Sequence, residues 1–259
     1  MSVAPNQSRF RFAAGWAVRH LVASAAVVCL AALVVFGLWY APPWRQLLGV
    51  GSIFGLIVIV DLVAGPLLTA VLANPRKSRR ERWIDLSLVA SIQVAALVFG
   101  MWSVYSARPV ILAFEVDRLV VITANEVQVN QLPDALPQFQ VLSWAGPLCV
   151  SLRAAQSSDE FLQSVEQSIR GTTQAMRPGW WRPFSDAAPA VLKSAGSVQS
   201  LIERQPADRK ALEIAAGKSG HSTASLRYLP LTSSQADDWV ALISDAGNIV
   251  GYANVNAFE

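Results

Sequence analysis

Three long apolar runs dominate the first 106 residues, and none follows them. The first, His20–Tyr40, carries no formal charge at neutral pH and closes on Trp39-Tyr40. The second covers about 48–72 and the third about 86–106, with Gln93 inside the third and Trp102 and Tyr105 near its end. Each is about twenty residues or longer, the length of helix that spans a hydrocarbon layer about 30 Å thick. From residue 107 the pattern changes to short β-branched runs, amphipathic stretches and turn residues.

The pattern predicts a membrane protein with three transmembrane α-helices, at about 20–40, 48–72 and 86–106, making residues 1–106 one region. A cleaved signal peptide is the rival reading of the first run, but its apolar part would measure roughly 7–15 residues and end at a small-x-small site. No such site follows. The second run holds fifteen large apolar residues and one acid, Asp61. Each apolar residue favours insertion by roughly 0.3–0.6 kcal/mol, and a central acid opposes it by about 2.5–3.5 kcal/mol. Insertion wins. The segments between the runs set the orientation. Arg9, Arg11 and Arg19 precede the first, and Arg76, Lys77, Arg79, Arg80 and Arg82 separate the second from the third; only Arg45 lies in the other short loop. The positive-inside rule puts the N-terminus and the 74–85 loop in the cytoplasm and residues 107–259 outside, which is the periplasm of a Gram-negative cell.

Residues 107–259 predict a small α+β domain with a mainly antiparallel sheet. Runs 109–116 and 118–123 flank Asp117 as a hairpin, and 140–152 is a further strand, weakened by Gly146-Pro147. Residues 158–176 are an amphipathic helix with Phe161, Leu162, Val165 and Ile169 on one face. Short helices are expected at 186–195, 197–204 and 207–216. Strands follow at 226–232, 239–244 and 249–255, the last two joined by the turn Asp245-Ala246-Gly247-Asn248.

On a uniform 100° wheel the second span places Gly51, Gly55, Asp61, Gly65 and Thr69 in one sector, with Ile53, Ile57, Val60, Leu67 and Val71 outside it. Gly51 and Gly55 have the spacing that permits close helix approach. Pro66 donates no hydrogen bond and crowds the carbonyl of Leu62, which predicts a kink just beyond Asp61. In the third span Gln93, Ala96, Gly100 and Ser103 form a matching stripe. No Lys or Arg reaches the depth of Asp61, so its carboxyl is protonated, paired with a donor such as Gln93, or paired with another protein. A midplane acid also raises a transporter reading, for which three spans are too few without oligomerisation.

Charge and composition remove several function classes. The net charge of +3 comes from residues 1–106, with nine Lys/Arg to three acids, whereas the rest has twelve to fifteen. Nucleic-acid binding has no support. Two histidines, His20 and His221, lie in different regions, which leaves no His-based metal site, and no cofactor motif is present. Cys29 and Cys149 are likewise separated. Gly217-Lys218-Ser219 lacks the earlier glycine of a phosphate loop, Leu212 standing in its place. Asp237-Asp238 reads as a solvated turn, and Gly179-Trp180-Trp181-Arg182 as core packing more than a stacking platform. No catalytic constellation emerges.

The segment VDLVAGPLLTAVLANP, its basic loop, and WIDLSLVASIQVAALVFGMWSVYSARPVILAFEVDRLVVI resemble the TfpX/TfpZ-type type IV pilin accessory proteins. The resemblance rests on Asp61–Leu68, Pro75, Asp85, Gln93, Gly100, Tyr105, Arg108-Pro109 and Asp117-Arg118. Leu226–Leu231 and Asp245–Tyr252 continue it. It implies a non-enzymatic accessory protein of the bacterial inner membrane that promotes pilin stability and pilus assembly. Type IV pilin would be the partner, with the assembly machinery and membrane lipids around it. The helix-contact face would then be Gly51, Gly55, Asp61, Gly65, Pro66, Thr69, Gln93 and Gly100, and the membrane–periplasm junction Arg108, Pro109, Asp117 and Arg118. The alternative is a membrane-anchored periplasmic ligand-binding sensor or enzyme, which a deep polar pocket in 107–259 would favour.

Overall fold

The computed structural model describes residues 5–258; residues 1–4 and 259, at the outer ends of the two predicted regions, lie outside the described residues. The chain forms two compact units: residues up to Ala41 with Gly49–Ser106, and Pro42–Leu48 with the residues from Ala107 on.

In the first unit, α1 (Pro5–Val34) runs into one π-helical turn, Val35–Trp39. The chain passes through a short helix of the other unit, α2 (Trp44–Leu47). It returns as α3 (Val50–Ile59), a π turn at Val60–Ala64, and α4 (Gly65–Leu72), and the third span is α5 (Arg79–Ser106). The stretches Arg9–Trp39, Val50–Leu72 and Arg79–Ser106 are long and apolar enough to cross a membrane. The first and third helices begin well before their apolar runs. Hydropathy marks only the part matched to lipid, while backbone hydrogen bonding carries the helix on through basic residues. Pro5 opens α1, where a missing N–H costs nothing. α1 packs along α4, and α5 packs on α3 and α4. Near one end of the bundle the Tyr40 hydroxyl donates to the Val104 carbonyl at 2.9 Å. The rings of Trp39 and Tyr105 meet edge to face at 5.2 Å.

Where the sequence predicts a kink, the span carries a π turn, Val60–Ala64. Pro66 cannot donate to the ladder and its ring crowds the preceding turn, so the helix widens before it. This turn rotates the two halves of the span relative to each other. Val50, Phe54 and Ile57 are buried in the first half, and Asp61, Gly65, Pro66 and Thr69 in the second. On a uniform wheel Ile57 lies outside the glycine sector but only about 40° from Asp61, and both are buried, so the packed face runs beside Gly51 and Gly55 and not through them.

The second unit is an eight-stranded sheet of order β4-β3-β1-β2-β6-β7-β8, with β5 also paired to β6. The strands β1 (Pro109–Glu115) and β2 (Arg118–Thr123) form the hairpin, and β3 (Leu148–Leu152) lies parallel to β1. Next come α6 (Ser158–Ile169), β4 (Trp181–Pro183), α7 (Ala188–Ser194), β5 (Gly196–Ser197), α8 (Val198–Arg204) and α9 (Arg209–Lys218). The chain closes with β6 (Arg227–Thr232), β7 (Trp239–Ile243) and β8 (Ile249–Asn254). Five pairings are antiparallel; β1–β3 and β2–β6 are parallel. The result is three apolar helices followed by a domain of helices and a mostly antiparallel sheet. β1 is central and covered on both faces, which explains its unbroken apolar run. One core gathers Ile111, Val150, Phe139 and Trp181; another puts α8 and α9 over Val240 and Leu242.

Several boundaries differ from the expected ones. The strand at 140–152 shrinks to Leu148–Leu152, because Gly146 takes φ +67° and Pro147 cannot donate. The helix expected to Met176 stops at Ile169, where Gly171 (φ +91°) turns the chain and the Thr172 N–H closes on the Gln167 carbonyl at 2.9 Å. The two- and three-residue strands β5 and β4 were not anticipated; they are too short to show a period. Residues 42–48 join the second unit, where the Trp44 ring meets that of Tyr252 at 5.2 Å.

Candidate functional site

Asp61 lies in the π turn of the second span and is only 4% exposed. The backbone around it explains the company it keeps. The Gly65 N–H, which in an α-helix would donate to the Asp61 carbonyl, donates instead to that of Val60. The next candidate is Pro66, which has no N–H. The orphaned Asp61 carbonyl is taken up from another helix, by Gln93 Nε2 of α5 at 3.3 Å. In hydrocarbon such a group must find a protein partner. A polar residue in the third span thus answers a backbone defect in the second.

Gln93 reaches that carbonyl across Gly65. A Cβ there would stand 2.0 Å from Nε2 and 2.7 Å from Oε1 of Gln93. A second close approach lies at Gly100, where a Cβ would meet Ile57 Cγ1 at 2.7 Å. Gly51 and Gly55 have open space around them and meet no other helix among the described residues. Asp61, Gly65, Pro66 and Thr69 are therefore brought together with Gln93, Gly100 lies beside Ile57, and Gly51 and Gly55 stand apart.

Sequence reasoning missed His20. Its Nδ1 lies 2.6 Å from Oγ1 of the fully buried Thr69, so α1 joins the polar stripe of α4. The signal was present, since His20 heads an otherwise uncharged apolar run. Two polar atoms of the stripe, Asp61 Oδ1 and Gln93 Oε1, are buried without a hydrogen-bond partner. Beside them, α3, the π turn and α5 bound a groove of about 230 Å³. Ile53, Ile57, Val60, Ala96 and Phe99 supply apolar walls, and Asp61 and Ser103 are its polar side chains. This is an apolar trough bordered by a carboxyl whose Oδ1 has no hydrogen-bond partner. Its chemistry suits an apolar segment that brings one hydrogen-bond donor.

The proposed junction residues do not form one cluster. Arg108 is buried, donating from Nε to the Ser143 carbonyl at 3.3 Å, and Pro109 opens β1. Asp117 and Arg118 sit at the other end of that strand, on the hairpin tip, paired at 2.8 Å. The hydrogen bond from Arg118 holds the Asp117 carboxyl below the usual range. The tip is strained: Val116 has φ +60°, and the Asp117 N–H donates to the Glu115 carbonyl at 2.8 Å, an i to i+2 turn.

The second unit also holds a cleft of about 420 Å³ lined by Glu115, Ser151, Arg153, Gln174, Arg182 and Asp186. Most of its cationic capacity is engaged. Arg153 grips both oxygens of Glu160, at 2.5 and 3.0 Å, holding that carboxyl down to about 2, and stacks 4.3 Å from the Trp180 ring. Arg182 Nη1 donates to the Trp181 carbonyl at 2.6 Å. Burial raises Glu115, with Arg118 and Arg177 opposing the shift. Trp181 is core, its Nε1 donating to the Ala175 carbonyl at 2.8 Å. Among the described residues no three His, Cys, Asp or Glu side chains converge as metal ligands.

Comparison with known proteins adds the family context. The profile described as fimbrial assembly protein FimB matches residues 8–49. A fimbrial assembly protein of Dichelobacter nodosus serogroup I is 32% identical over 255 residues, 98% of this chain and 99% of the relative. Its serogroup E1 counterpart is 31% identical over 255 residues, with the same shares. A third, of serogroups C1 and C2, is 38% identical over 130 residues, 50% of this chain and 99% of that protein. No solved structure matches the chain.

Proposed function

The chain belongs to the fimbrial assembly proteins, and on that footing we propose that it is a TfpX/TfpZ-type accessory protein that receives type IV pilin in the bacterial inner membrane. In this reading the N-terminus is cytoplasmic and residues 107–259 are periplasmic, following the eight basic residues on one side against one on the other. The groove beside Asp61 takes the pilin helix, the outer domain takes the pilin head, and the protein performs no catalysis. Pilin is held stable until the assembly machinery takes it. The observation that carries the proposal is the groove itself: apolar walls on the face of α3 and α5, and the unpartnered Asp61 Oδ1.

The test is a photo-crosslinking residue at Phe99, an exposed groove residue, in native membranes. An adduct with pilin is expected, and its loss in Asp61→Leu. Crosslinks to lipid alone overturn the groove reading. Deletion of the gene, with pilin abundance and surface pili both measured, separates the two effects. Loss of both means stabilisation, and loss of pili with abundant pilin means assembly.

The second reading, a membrane-anchored ligand-binding sensor, draws on the 420 Å³ cleft. The engagement of Arg153 and Arg182 by protein groups weighs against it.

A further inference from the structure

α6 is amphipathic in the opposite sense to a helix that packs on its own domain. Its polar side faces inward: buried Ser164 accepts from Gln174 Nε2 at 2.5 Å, and Gln167 Oε1 accepts from Arg177 Nη1 at 2.8 Å. Phe161, Leu162, Val165 and Ile169 lie outward, Ile169 at 82% exposure. The helix is firmly placed, with the Ser157 hydroxyl capping the Glu160 N–H at 3.1 Å and Arg153 gripping Glu160. A contiguous apolar patch of this kind marks a contact surface.

Its charges choose among occupants. Helices that lie on membranes carry Lys and Arg on their polar face, whereas α6 has Asp159, Glu160 and Glu166 against none, with Arg170 as its C-cap. The ends of the helix are complementary to each other instead. The Asp159 carboxylate makes no hydrogen bond or ion pair among the described residues, while Arg170 lies exposed at the other end, bonded to Glu166 at 2.6 Å. Eleven positions apart, they fall within roughly 20° on the same flank of the apolar stripe. An antiparallel pair about a twofold axis at Val165 sets Phe161 against Ile169 of the second copy and Asp159 against its Arg170. It also opposes the two helix dipoles.

We propose that α6 is a self-pairing surface, through which two copies of this chain associate by antiparallel α6 helices. A single helix pair falls short of the roughly 1,200 Å² of a free-standing interface. Three apolar spans confine both copies to one bilayer, and the resulting effective concentration makes up the difference. Self-pairing through α6 needs neither the groove nor pilin.

The test uses full-length protein in native membranes with the exposed Cys29 and Cys149 replaced by serine. Val165→Cys is expected to give a disulfide-linked dimer on mild oxidation. Phe161→Cys and Ile169→Cys each give little alone, their twofold mates lying about 12 Å apart along the axis, yet crosslink to one another when co-expressed. Asp159→Arg lowers the Val165→Cys dimer severalfold, and adding Arg170→Asp restores most of it. Absence of the Val165→Cys dimer overturns the proposal, as does equal self-crosslinking of Phe161→Cys or an adduct with another polypeptide only. So does shielding of the Val165→Cys thiol from aqueous reagents without a dimer, which would place the helix on lipid.

Discussion

Gly65 provides the space that Gln93 occupies: a Cβ on Gly65 would stand 2.0 Å from Gln93 Nε2. Two helices meet at that point because one residue has no side chain and the other has a donor to deliver.

That contact separates the glycines of the membrane region into two kinds. Gly65→Ala and Gly100→Ala are expected to destabilise the bundle by about 1–3 kcal/mol each through overpacking. Gly51→Ala and Gly55→Ala meet open space and should leave stability unchanged or slightly raised. Thermal unfolding of the four variants in one detergent checks this; a similar loss in all four contradicts the assigned contacts.

The bond from Gln93 to the Asp61 carbonyl should couple to Pro66. Gln93→Leu leaves that carbonyl unpaired, at about 1–3 kcal/mol. Pro66→Ala restores an N–H to the second span and allows a regular turn, so the loss from Gln93→Leu should shrink in that background. A double-mutant cycle reads the coupling. Simple additivity would mean that Gln93 does not answer the defect left by the proline.

Val116, a β-branched residue at φ +60°, is strained at the hairpin tip. Val116→Gly removes the Cβ from a left-handed position and should stabilise the domain by about 1 kcal/mol, read as a higher unfolding midpoint. Val116→Ile should not.

The Arg153–Glu160 pair should make one part of the second unit acid-sensitive. Arg153 holds the Glu160 carboxyl at about 2, against an ordinary value of 4.5. A depressed carboxyl stabilises the fold above its ordinary value, and that contribution is lost as pH falls from about 4.5 through about 2. Glu160→Gln should flatten the fall of the unfolding midpoint across this window. An unchanged slope would mean that the pair contributes nothing to acid stability.

Much of the architecture is legible without coordinates. Apolar runs as long as a bilayer is thick predict the spans. Apolar, β-branched runs on either side of Asp117 and of Asp245–Asn248 predict both hairpins, which form as β1–β2 and β7–β8. Local hydrogen bonding and hydropathy act over a few residues, and a sequence displays them directly. Asp61 and Gln93 also announce themselves, as polar residues where lipid makes them expensive.

What each polar residue touches is decided elsewhere. The parallel pairings β1–β3 and β2–β6 join segments far apart in sequence, and no local pattern encodes the partner. The π turn before Pro66 rotates half a span, so a wheel with one fixed step assigns Gly51 and Gly55 to a face they do not share with the packed residues. The periodicity of α6 places Phe161, Leu162, Val165 and Ile169 on one face and cannot say which way it looks. Spacing and hydropathy alone establish which helices are apolar and which faces they carry. Which of those faces are covered emerges only when the chain packs, because burial depends on what distant segments bring alongside.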